Sequence, residues 1–174
     1  MITLRLNLDA MESINFFWQA LKDREKVSEA FIQDVAMLEG YSLIYDQEFT
    51  AAGVQRVMSA LSNREPFKAE NQKEGRLYNN HLWMMDDLGV ANAMLQAIKL
   101  LNLDGLRALF SDSAASEEIV VYFVPFHTDA VVVKGNSVVM NFFKVQPDLN
   151  GGDADAFDGL PLMDAIEKII RGII

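Results

Sequence analysis

The sequence predicts an α+β protein, with about four to five helices packed on a mostly antiparallel sheet of about five strands. Two observations carry this prediction. Up to about residue 116 the apolar residues recur mostly at helical spacing, whereas from Glu117 to Val145 the chain becomes rich in β-branched and aromatic residues. That second stretch is broken at Pro125 to Asp129 and again at Lys134-Gly135-Asn136, which reads as a C-terminal three-strand meander.

The elements follow in order. Ile2, Leu4, Leu6 and Leu8 alternate with Thr3, Arg5 and Asn7, the period of a strand with one buried face. Asp9 stands where a helix cap is wanted, Glu12 where a capping box places its acid, and Ile14, Phe17, Trp18 and Leu21 form the apolar stripe. The charged run Lys22 to Lys26 is either an exposed turn of that helix or a junction to a second. Val27, Phe31, Val35 and Leu38 resume the spacing, and Gly40 is a plausible stop. Thr50 caps the next helix, with Val54, Val57, Met58 and Leu61 inward. Residues 62–76 lack periodicity and form a polar connection, functional or mobile. A further helix is expected from about Tyr78 into the nineties, with Leu82, Met85, Leu88, Leu95 and Ile98 on one face.

Leu6-Asn7-Leu8-Asp9 recurs as Leu101-Asn102-Leu103-Asp104, which reads as two strand-to-helix junctions with Asp as the cap. These junctions supply two of the five strands and the meander three. Residues 148–159 form an acidic loop, and a last helix from about Pro161 to Ile170 buries Leu162, Ile166, Ile169 and Ile170. A length of 174 residues fits one domain over 1–174.

Composition narrows the function classes. A formal charge of -10 repels phosphate backbones and anionic membranes, so neither nucleic acid nor a membrane is expected as partner. Without cysteine there are no disulfides, thiolate nucleophiles or zinc ribbons. The longest apolar run, Ile119 to Phe126, is far short of the roughly 20 residues a membrane helix needs. A soluble cytoplasmic protein is the plain expectation.

The candidate site is Arg76 to Asp87. It gathers Arg76, Asn79, Asn80, His81, Trp83, Asp86 and Asp87 just after the polar connection. On a helix, Asn79, Trp83, Asp86 and Asp87 share roughly one face, able to hold a polar ligand or to bond across a dimer interface. The structural alternative is a helix start where Asn caps, Trp packs and Asp faces water. His81 and His127 are the two histidines, each a candidate acid–base group or, on the structural alternative, a satisfied hydrogen-bonded ring. Asp148, Asn150, Asp153, Asp155 and Asp158 lack the spacing of a calcium-binding EF-hand loop. Phosphate-binding glycine loops, paired metal-binding histidines and a serine nucleophile elbow are all missing from the sequence.

The expectation is therefore a binding or interaction protein without catalysis, metal or cofactor. Its partner is a protein or a small polar ligand, with a homodimer as one form of the former. The alternative is an enzyme acting on a small polar substrate, with His81 or His127 as the acid–base group and Asp86, Asp87 or Asp129 orienting it.

Overall fold

The computed structural model describes residues 1–112, 117–149 and 155–174. It is α+β, with two sheets. The larger is built on β2 (Glu117–Val124), flanked by β1 (Ile2–Asn7) on one side and β4 (Ser137–Asn141) on the other, with β3 (Val131–Lys134) beyond β4. β1 and β4 both run parallel to β2, and only β3–β4 is antiparallel.

The expected meander and mostly antiparallel sheet are thus corrected. After β2 the chain passes over the site of β4, runs back as the edge strand β3, and returns through a tight turn at Gly135 (φ 57°) to fill the gap. The physical reason lies in β2 itself, which is buried without interruption from Ile119 to Val124. A strand covered on both faces shows no alternation, which is the mark of the centre of a parallel sheet.

Helices cover this sheet. α1 (Asp9–Lys22) buries Ile14, Phe17, Trp18 and Leu21, each contributing roughly 1.5–3 kcal/mol of hydrophobic stabilisation. The charged run after it is a junction: α2 (Glu29–Ala36) begins anew with Ser28 accepting from the Phe31 amide. Gly40 does not stop α2. It lies inside the short α3 (Glu39–Ser42), where a Cβ would stand 2.7 Å from Val124 Cγ2. Thr50 caps α4 (Ala51–Asn63), accepting from the Gly53 amide at 3.1 Å.

The polar connection is shorter than expected, because α5 (Gln72–Asp86) starts six residues ahead of Tyr78 with Asn71 as its cap. The expected single helix into the nineties is two. Asp87 leaves the helical region (φ -141°, ψ 89°) and caps α6 (Leu88–Lys99), its carboxylate accepting from the amides of Gly89 and Val90.

The repeated Leu-Asn-Leu-Asp segment does open two helices, α1 and α7 (Asp104–Leu109). Asp is not the cap, however: Leu8 and Leu103 hold that position without a side-chain cap bond. The asparagine before each makes a local turn, Asn7 accepting from the Asp9 amide at 3.0 Å and Asn102 from that of Asp104 at 2.9 Å. Only the first copy leaves a strand, so the predicted strand ending at Leu103 is absent.

After β4 a 3-10 turn, Phe142–Lys144, leads into the smaller antiparallel sheet of β5 (Val145–Gln146), β6 (Ala156–Phe157) and β7 (Leu160–Pro161). The expected acidic loop therefore holds a strand, and Asp158 and Gly159 form the left-handed β6–β7 turn. Asn150 and Asp153 lie outside the described residues. α8 (Leu162–Ile173) follows, with Pro161 as its cap rather than in its first turn. Among the described residues no helix is long and apolar enough to cross a membrane.

Candidate functional site

α5 packs inward through Leu77, His81 and Met84, at four- and three-residue spacing, which leaves Arg76, Asn79, Asn80, Trp83 and Asp87 on the side facing away from the core. These five line one cleft of about 590 Å³. The opposite wall is apolar apart from Gln146, whose side-chain oxygen accepts from the Gly159 amide. Met84 closes the floor from α5, Val90 and Met94 contribute from α6, and Phe143, Val145 and Pro147 contribute from the turn and strand after β4. Met84, Met94 and Val145 are buried, whereas Trp83 is 79% exposed at the mouth. A pocket of this volume with apolar walls and a few polar groups at its rim is the usual form of a small-molecule site.

The polar groups differ in how far they are committed. Asn80 is half-buried and donates to the carbonyls of Phe126 (3.1 Å) and His127 (3.4 Å), tying α5 to the segment after β2. Asp87 holds the start of α6. Among the described residues, the side chains of Arg76, Asn79 and Trp83 make no hydrogen bond or ion pair, so their side-chain donors are open to a ligand. Asp86 is exposed beside the cleft but does not line it.

The two histidines do not join the cleft, nor each other. His81 is fully buried between Phe17, Trp18 and Phe143. Its Nδ1 accepts from the Trp18 indole N–H at 2.9 Å, which leaves the proton of the neutral ring on Nε2, and Nε2 has no partner among the described residues. Burial pushes its pKa down to about 3. His127 packs edge-on against Phe49 and Phe126, and its Nδ1 accepts from the amides of Thr128 (2.9 Å) and Asp129 (3.4 Å). Burial lowers its pKa as well, against the pull of Asp129. Among the described residues no three His, Asp or Glu side chains converge as a metal site.

The residue that shapes the cleft from behind is Asn141, which sequence reasoning passed over. Fully buried at the end of β4, it donates to the carbonyls of His127 (2.7 Å) and Asp129 (3.0 Å) and accepts from the amides of Phe126 (3.3 Å) and Phe143 (3.1 Å). It therefore ties the segment held by Asn80 to the turn that carries Phe143. Its one sequence signal is being the lone polar residue in Val138 to Phe143. Compared with protein-family models, with curated proteins and with solved structures, the chain matches none.

Proposed function

We propose that this is a non-catalytic binding protein that takes a small molecule with a largely apolar body into the cleft between α5, α6 and residues 143–147. One observation carries this reading. An open indole and open polar donors stand over an apolar floor of ligand-sized volume. Acid–base chemistry has less support, because His81 sits behind Phe143 and His127 spends its Nδ1 on its own loop. The cleft is complete within one chain, so binding places no demand on self-association.

A thermal-shift screen of wild type, Trp83→Ala and Asn79→Trp against amphipathic small molecules tests it. Both substitutions are at exposed positions, so the fold should be retained. Ligands are expected to raise the wild-type midpoint, by the equivalent of about 2.7 kcal/mol at 100 times their dissociation constant. Loss of the indole and filling of the mouth should each weaken binding about tenfold or more. Ligands that stabilise all three proteins alike, or no stabilising ligand in any class, would overturn the reading.

A further inference from the structure

Two side chains of opposite charge line the cleft, Arg76 and Asp87. Arg76 is exposed, near the start of α5. The positions that reach it along the helix, three and four residues away on either side, are Gln72, Lys73, Asn79 and Asn80, none of them acidic. No carboxylate from another element pairs with it among the described residues. In a chain with 25 acids and 15 bases, a guanidinium that lines a cleft without a paired carboxylate among the described residues stands out.

Glu74 and Glu70, the acids nearest in sequence, are already paired with Arg56. Glu74 is buried and takes both terminal nitrogens of Arg56, at 2.9 and 2.7 Å. Asp87 does line the cleft, but eleven residues along, roughly 16 Å from Arg76, and it is bonded to the N-terminus of α6. Trp83 stands seven residues from Arg76 on the same face, roughly 10 Å away. Between them on the helix stand Asn79 and Asn80, and Met84, Met94 and Phe143 line the same cleft. The site thus offers a planar cation, able to take a carboxylate through two parallel hydrogen bonds. Roughly 10 Å along the same helix face it offers an indole, with the amides of Asn79 and Asn80 between them and apolar side chains of α6 and residues 143–147 lining the same cleft.

From this, and resting on the reading of the cleft as a ligand site, we propose that the ligand is an amphipathic monocarboxylate. Its carboxylate pairs with Arg76 and its aliphatic or aromatic body lies along α5 towards Trp83. Matched pairs differing only in charge test this: octanoate against octanamide, and indole-3-propionate against its amide. Each is titrated calorimetrically into wild type, Arg76→Gln and Trp83→Ala.

In wild type each carboxylate should bind about tenfold or more tightly than its amide. Arg76→Gln should abolish that preference, and Trp83→Ala should weaken both members of a pair while preserving it. Equal binding of acid and amide to wild type, with both dependent on Trp83, would overturn the carboxylate assignment and leave the cleft standing as a site. A preference that survives Arg76→Gln would overturn the assignment too. Binding of neither member, or binding indifferent to Trp83→Ala, would overturn the cleft reading and the assignment with it.

Discussion

At the scale of the residue, His81 is the group whose chemistry burial has altered most. In the unfolded chain its ring takes a proton below about pH 6.5, whereas in the fold it resists until about 3. Between those values the unfolded state binds the extra proton, so stability rises with pH, is complete above pH 6.5, and is lost progressively as the pH falls. At pH 5 this ring alone should have withdrawn about 2 kcal/mol relative to pH 8. His127, also pushed down by burial, acts in the same direction. Urea unfolding at both pH values checks the expectation in wild type and His81→Phe. The variant leaves the Trp18 N–H without its acceptor and is less stable throughout, but the loss between pH 8 and 5 should shrink by about that 2 kcal/mol. An undiminished loss would show that the ring does not stay neutral in the fold. The sequence favoured a hydrogen-bonded, partly buried ring at this histidine but did not show how fully it is desolvated, because the groups that bury it, Phe17, Trp18 and Phe143, come from distant parts of the chain.

At the scale of the element, α5 is positioned by its contact with α4 at Gly53. A Cβ there would meet Glu74 Oε2 at 2.9 Å, so glycine makes room for the buried carboxylate that grips Arg56. Gly53→Ala should displace that carboxylate, and with the helix propensity of alanine partly offsetting the loss it should cost about 1 kcal/mol, read as a lower denaturant midpoint at an unchanged slope. A midpoint within error of wild type would mean that α5 is held elsewhere. Helices were legible where a side chain announced the start, as Thr50 does for α4, and where an apolar stripe followed. The break at Asp87 was hidden because apolar residues continue across it, from Leu82 and Met85 to Leu88 and Leu95, so periodicity alone reads one helix. The buried stripe is in fact Leu77, His81 and Met84, and Leu82 is exposed. A histidine in that stripe moved the apparent apolar face round the helix.

At the scale of the molecule, the α+β class was legible and the topology was not. Local composition locates strands in Glu117 to Val145, but whether the returning chain pairs beside β2 or beyond it depends on contacts the segment does not encode. The unbroken apolar run at Ile119 was the one local trace of a central strand. Edge protection shows the same dependence on the fold. Arg107 of α7 donates to the Leu4 carbonyl at 2.6 Å and covers the β1 edge from more than a hundred residues away. The site divides likewise. Its polar rim was legible because Arg76, Asn79, Asn80, Trp83 and Asp87 fall within one helix and its end, whereas its apolar wall exists only because α6 and residues 143–147 are folded against that helix. The most direct test is an amide-resolved NMR titration of the labelled protein with indole-3-propionate. Shift changes should concentrate at Arg76 to Asp87, at Val90 and Met94, and at residues 143–146, and should saturate together. Changes centred on another surface, such as the groove between β3 and α8, or no saturable change anywhere, would contradict the assignment of the α5–α6 cleft as the binding site.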